Sequence, residues 1–278
     1  MGILTDEEFR LFRNLIYEES GIYLKETKKD FLENRLAKRM AETKAQSAYW
    51  YYKLASEQRQ KELLVLLDLL TVNETSFFRN LPQIELFRNR ILSSVVTRKR
   101  QDAQKRLRIW SAGCSSGEEP YTLAMVIAET LLNRQQWDVK IYASDLSLTI
   151  LKAASKGEYA LDKVQATVDD HYINRYFTVS GDRAKVRDEI RKMVVFDFHN
   201  LKNDNGLRDL DVIFCRNVMI YFDTEEQKRL VAKFYQSLVP GGYLVIGHAE
   251  SLQGWNTGFQ FVYENKGTAY WRPDKEGT

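Results

Sequence analysis

Near Arg106 the pattern of the chain changes, and few folds are compatible with the change. Residues 5 to about 70 carry only helical periodicity, whereas strand-like and helical runs alternate from Arg106 onward. The strand-like runs are Leu107–Ser111, Val139–Ser144, Val212–Arg216 and Gly242–Gly247; the helical ones between them are Pro120–Leu132, Leu146–Ala154 and Thr224–Leu238. Such alternation builds a mainly parallel sheet with helices on both faces, an α/β fold. Phe259–Arg272, divided by Gly267, predicts a closing hairpin, antiparallel at the sheet edge. Tyr176–Val179 and Met193–Phe196, around Ser180-Gly181-Asp182, predict a small β insertion at about 172–197.

The N-terminal region predicts a compact helical bundle. Thr5-x-x-Glu8 forms a capping-box pattern, Phe9, Phe12, Leu15 and Ile16 follow at helical spacing, and Gly21 supplies a stop. A second helix from about Thr27 sets Phe31, Leu32, Leu36 and Met40 along one side, with Lys28, Lys29, Arg35, Lys38 and Arg39 crowding the rest. A basic helix face is commonly just solvated, and here it also suits an acidic partner through electrostatic steering. Ala48–Leu54 and Lys61–Leu70 give two further helices, and Thr224-x-x-Gln227 is a second capping-box pattern.

Several classes are disfavoured. No run approaches the roughly 18 apolar residues of a membrane helix. Met1–Glu8 has neither the basic start nor the apolar core of a secretory signal. With only Cys114 and Cys215 as thiols, a reduced, cytoplasmic location is expected. His171, His199 and His248 are not spaced as a metal site requires, so no metal is expected. A net charge of +3 does not call for nucleic acid.

Four segments carry chemistry. In Leu107–Tyr121 a buried strand ends in small residues, with Gly113 and Gly117 permitting close backbone approach and Pro120 opening a helix. Glu118 and Glu119 make this loop acidic, which disfavours phosphate and suits a cationic ligand; a turn that only closes a strand–helix unit remains the alternative. In Ile141–Asp145 a second strand ends in a carboxylate, placed either to take a ribose diol or to cap a helix. Asp145 lies 32 residues beyond Gly113, more than the roughly 20 of compact dinucleotide folds, which a longer intervening helix explains. In Leu210–Phe222 a buried strand runs into Arg216 and Asn217, costly to bury unless each is satisfied, while Cys215 reads as a core thiol. Asn73–Arg79, at the junction of the two regions, is either a site segment or a capped linker.

Together these segments resemble one family. Asn73-Glu74-Thr75-Ser76-Phe77-Phe78-Arg79, Ser111–Tyr121, Ala143-Ser144-Asp145, His199-Asn200-Leu201 and Phe214-Cys215-Arg216-Asn217-Val218-Met219-Ile220-Tyr221-Phe222 resemble, in order and over nearly the whole chain, the chemotaxis receptor methyltransferases of the CheR type. The resemblance implies an N-terminal helical domain (1–70), an interdomain linker and helix (71–100), and a Rossmann-like S-adenosylmethionine methyltransferase domain (101–278) with a small inserted β-subdomain. It implies methylation of receptor glutamates to γ-glutamyl methyl esters, leaving S-adenosylhomocysteine. Carried across by motif, Asn73, Thr75, Arg79, Glu118, Asp145, Asn200, Leu201, Arg216 and Asn217 would bind the donor, with Glu118 touching it directly. Arg79 and Tyr221 would stand at the transferred methyl, and Phe78 would offer an aromatic face to the sulfonium. Lys28, Arg35, Lys38 and Arg39 would meet the cytoplasmic helices of the receptor. The stretch between Phe177 and Val186 is shorter than in members that grip a C-terminal receptor peptide, which implies direct recognition without a tether, by a monomer. A methyltransferase for nucleic acid or a small molecule, and a non-catalytic donor-binding scaffold, are the rival readings. Tyr49, Trp50, Tyr51 and Tyr52 are expected to pack the bundle rather than to stack on bases.

Overall fold

A computed structural model describes residues 2–274. Helices α1 (Asp6–Ser20), α2 (Lys29–Thr43), α3 (Ala48–Glu57) and α4 (Leu64–Leu70) form the N-terminal bundle. The capping box forms as expected: Thr5 Oγ1 accepts the Glu8 N–H at 3.1 Å, and the Glu8 carboxylate accepts the Thr5 N–H at 2.8 Å. Gly21 ends α1 at φ +75°, in the left-handed region a Cβ disfavours. Phe9, Phe12 and Ile16 share one buried cluster with Leu32, Leu36, Tyr51, Leu63 and Leu67. Tyr51 is fully buried, but Tyr49 and Trp50 stay exposed.

Arg39 belongs to this core, which corrects its expected part in meeting a partner. Its Nε and Nη2 donate to the two oxygens of buried Glu62 at 2.7 and 2.8 Å, its Nη1 donates to Glu42, and the Tyr51 hydroxyl donates to Glu62 at 2.8 Å. A carboxylate cannot be buried at that depth without such donors.

Beyond the bundle run strands β1 (Lys105–Ala112), β2 (Trp137–Asp145), β3 (Glu158–Ala160), β4 (Phe177–Ser180), β5 (Arg183–Val186), β6 (Val194–Phe198), β7 (Leu210–Cys215), β8 (Leu238–Ile246), β9 (Gln260–Glu264) and β10 (Gly267–Trp271). Helices α5 (Leu81–Leu86) and α6 (Leu92–Arg98) precede them. Interleaved are α7 (Glu118–Thr130), α8 (Leu148–Lys156), α9 (Leu161–Gln165), α10 (Asp170–Tyr176), α11 (Asp188–Arg191) and α12 (Thr224–Ser237). Seven strands make the main sheet in the order β6-β2-β1-β7-β8-β10-β9; β10 alone opposes the shared direction of the others. Alternate residues of β1 feed opposite cores: Leu107 and Ile109 join the cluster of α5–α7, Trp110 and Ala112 that of α12.

Some boundaries differ from expectation. Val194–Phe198 is the edge strand of the main sheet, parallel to β2, rather than part of the insertion. The small sheet has the order β3-β5-β4 and draws Glu158–Ala160 from well upstream. Those strands are too short to show alternation above noise. The hairpin turns on Asn265 and Lys266, both at positive φ, and β10 inserts between β8 and β9, so β9 is the edge. Gly267 serves close packing instead: a Cβ there would collide with the Pro82 carbonyl of α5. Residues 81–98, read as interdomain, pack Ile84, Phe87, Ile91 and Val95 into the sheet core. Asp223, not Thr224, caps α12, accepting the Glu226 N–H at 2.9 Å.

Burial alone would raise the Glu62 carboxyl, but the Arg39 and Tyr51 donors outweigh it and hold it below its ordinary 4.5. That stabilisation is present above about 4.5 and fades as pH falls through the lower folded value. Arg39→Met should cost about 3 kcal/mol at pH 7 by stranding a buried charge. Urea titrations should show the gap to the parent narrowing below pH 4.5, once Glu62 is protonated in the variant.

Candidate functional site

The chain moves from β1 to β2 on one side and later places β7 on the other, so the carboxyl ends of the three strands diverge at a switch point. Ligands of open α/β sheets sit at such points. Here lies a cavity of about 480 Å³, well within the size of small-molecule sites.

Each strand end brings one group. After β1, Gly113 (φ +80°) and Ser115 (φ +49°) turn the chain, and both line the cavity. A Cβ on Gly113 would collide with Val218 of the β7 loop, so only glycine lets these loops meet. After β2, Asp145 accepts the Ser115 N–H at 2.9 Å and the Ser147 N–H at 3.0 Å, which braces the carboxylate at the cavity wall. It does not cap α8; Ser147 does, through its hydroxyl. Burial pushes the Asp145 carboxyl up, and the two N–H donors pull it back.

After β7 comes Arg216, nearly buried, whose Nη1 pairs with Glu119 Oε2 at 3.3 Å and whose Nη2 donates to the Arg79 carbonyl. Ser111 Oγ donates to the other Glu119 oxygen at 2.7 Å. Burial raises the Glu119 carboxyl, opposed by Arg216 and Ser111. Asn217 (φ +61°) is held in its left-handed turn by Glu250, which accepts the N–H groups of Asn217 and Gly247. The buried Nε of Arg216 and Nε2 of His199 have no hydrogen-bond partner among the described residues.

Asn73, Thr75, Arg79, Asp145, Asn200, Leu201, Arg216, Asn217 and Tyr221 all line this one cavity. Glu118 does not: its carboxylate takes the Ser116 hydroxyl at 2.6 Å, while Glu119 faces the cavity. Two adjacent acids at a helix start point in different directions, and the sequence gives no sign of which turns inward. Phe78 is also outside, tilted against Tyr172 at 4.7 Å in the core. On the basic helix, Lys28 lines the mouth beside Phe31, while Arg35 and Lys38 continue outward, exposed. Sequence reasoning missed His199, Glu119 and the wall segment Ile22–Lys25, which has no polar signature and is recruited only by domain docking.

A parallel sheet with one reversed strand beside its edge, and a cavity at the switch point lined by Glu119 and Asp145 among basic residues, define a Rossmann-like α/β fold with a small-molecule site. Comparison with known proteins narrows the class. Residues 73–268 match the CheR methyltransferase SAM-binding domain, and residues 7–71 match the CheR methyltransferase all-alpha domain. Chemotaxis protein methyltransferase 2 of Vibrio cholerae is 36% identical, with 98% of this chain and 95% of that one aligned. A chemotaxis protein methyltransferase of Borreliella burgdorferi is 34% identical (94% and 93%), and chemotaxis protein methyltransferase 1 of Pseudomonas aeruginosa 35% (96% and 98%). The chain belongs to the CheR methyltransferase family.

The cavity fits S-adenosylmethionine. Glu119 and Glu74 suit a cationic sulfonium and amine, and Asp145 suits a ribose diol. Losing a hydrogen bond to a charged group costs about 1.5–3 kcal/mol, or tenfold and more in affinity. Calorimetric titration of S-adenosylhomocysteine should therefore show at least about tenfold weaker binding to Asp145→Asn. The same titration ranks the two acids: Glu119→Gln should lose more affinity than Glu118→Gln.

Proposed function

We propose that this chain transfers the methyl group of S-adenosylmethionine to glutamate side chains of chemotaxis receptors, forming γ-glutamyl methyl esters. The observation that carries the reading is the exposed basic face of α2, which runs from Lys38 and Arg35 to Lys28 at the cavity mouth, where Arg79 and Tyr221 also stand. Acidic receptor helices are its electrostatic complement. The relatives' names point the same way, since each is called a chemotaxis protein methyltransferase. The protein acts as a cytoplasmic monomer and recognises its receptor directly. The four-residue strands β4 and β5 leave little room for a peptide tether.

When bound, the donor supplies an electrophilic methyl on sulfonium. A glutamate carboxylate is ionised near neutral pH and needs no strong base. The chain therefore has to orient and desolvate it, and positioning alone supplies several kcal/mol. Arg79 is braced by its Nη1 bond to the Glu74 carbonyl at 2.8 Å, and its guanidinium orients the incoming carboxylate. Burial pushes the Tyr221 phenol up, so its hydroxyl stays a hydrogen-bond donor beside the reacting oxygen. Asn73, Thr75, Arg79, Asp145, Asn200, Leu201, Arg216 and Asn217 hold the donor, with Glu119, rather than the expected Glu118, on its amine.

Radiolabelled donor incubated with receptor cytoplasmic fragments tests this directly. Label should appear in glutamate residues and be released by mild alkali; label stable to alkali, or none, would overturn the reading. Arg79→Ala and Tyr221→Phe should each lower kcat about ten- to hundredfold, with S-adenosylhomocysteine affinity kept within a few-fold by Tyr221→Phe and weakened by Arg79→Ala. Arg35→Glu/Lys38→Glu should raise KM for the receptor most at low ionic strength, with donor affinity unchanged.

A further inference from the structure

The last turn of a helix leaves carbonyls without intrahelical partners, and a cation there is favoured by the helix dipole. Helix α1 has no basic residue in its last turn. The cation comes from the other domain: Lys202 Nζ donates to the carbonyls of Tyr17 (3.1 Å) and Glu18, and sits 5.6 Å from the Tyr17 ring centroid. Next to it, Asn200 Nδ2 donates to the Glu19 carbonyl at 2.7 Å, while Asn200 Oδ1 accepts the Lys202 N–H at 3.0 Å. Three consecutive carbonyls of α1 are thus held by one loop whose residues His199, Asn200 and Leu201 line the donor cavity. Behind the loop, Lys233 of α12 donates to the carbonyls of Leu201, Lys202 (3.0 Å) and Asn203 (3.1 Å).

The chain that follows α1 continues the seam. The Tyr23 N–H donates to the Tyr221 carbonyl at 2.9 Å, Ile22 bridges to Phe222, and the Tyr17 hydroxyl donates to Asp223 at 2.8 Å. Ser20, Ile22 and Leu24 of the helical domain thereby face Asn200, Leu201 and Phe222 across the same cavity.

We propose that Lys202 is a positioning residue for the donor site. By pinning the 199–203 loop to the end of α1 it makes the helical domain one wall of that site, so donor binding and domain docking strengthen each other. The coupling is reciprocal: whatever docking adds to donor affinity, the donor returns to docking. The proposal rests on the donor cavity and is indifferent to which carboxylate accepts the methyl.

Hydrogen exchange of the full-length protein, with and without saturating S-adenosylhomocysteine, is the first test. Exchange at the Tyr23 amide should slow several-fold with ligand. Lys202→Met should bind S-adenosylhomocysteine about tenfold more weakly and raise KM for the donor, with kcat and acceptor KM unchanged once donor saturates. Its Tyr23 amide should exchange faster while β1 amides stay protected, and Lys202→Arg should recover most of the affinity. Lys228→Met, on the exposed side of α12, should change none of these. Unaltered Tyr23 exchange in the liganded parent, or parental affinity in Lys202→Met, would overturn the proposal. Should Lys202→Met lose protection throughout, the parent exchange and Lys202→Arg still decide it.

Discussion

Much of the molecule is organised around the buried pair of Arg216 and Glu119. Arg216 leaves the end of β7, Glu119 opens α7 after β1, and a second guanidinium nitrogen reaches the Arg79 carbonyl in the interdomain segment. A buried arginine is costly unless its charge is paired and most of its donors are matched, and here three segments distant in sequence meet at one point to do so. That meeting point is the floor of the cavity. The left-handed turns at Ser115 and Asn217 follow from it, because each loop must bend sharply to bring its polar group inward. Strain of this kind, about 1–3 kcal/mol per residue, persists only where surrounding contacts over-determine it, as Glu250 does for Asn217.

What the sequence made legible follows from how local each feature is. The change near Arg106 identified the α/β layer because periodicity is carried within a single element. β1, β2, β7 and β8 run through buried positions and announce themselves. β6 was misassigned and β3 overlooked, since whether a short strand joins a large sheet or a small one depends on partners, not composition. The site was legible where the strand-end motif carries the group itself, as for Asp145 and Arg216. It was not legible where a rotamer decides, as between Glu118 and Glu119, or where a neighbour decides. Arg39 looks like Arg35 and Lys38 along the helix, yet only Arg39 stands opposite Glu62. Ile22–Lys25 is apolar and basic chain of no particular pattern, and becomes cavity wall only because α1 docks against 200–202.

The path from β2 to β6 has a consequence for how such proteins diversify. The chain leaves the sheet at Asp145 and re-enters alongside it at Val194, with the register Asp145 to Phe198 closing the detour. Because the two strands are parallel, the chain crosses from the carboxyl end of β2 back to the start of β6, and on the way Leu151, Tyr172, Phe177 and Ile190 pack into the main core. Lengthening the β4–β5 turn, whose ends Ser180 and Arg183 are already paired, costs little, about 0.6 kcal/mol per doubling. The detour touches the donor-side loop through Tyr159, whose hydroxyl donates to the Ser116 carbonyl at 2.7 Å. Phe77 and Phe78, beside Arg79, also pack on Tyr159, Phe177 and Tyr172, so only growth at the open β4–β5 turn, where Gly181 meets nothing, would leave the reacting centre where it is. The fold thus separates a packed part that must stay fixed from an exposed turn free to acquire new recognition.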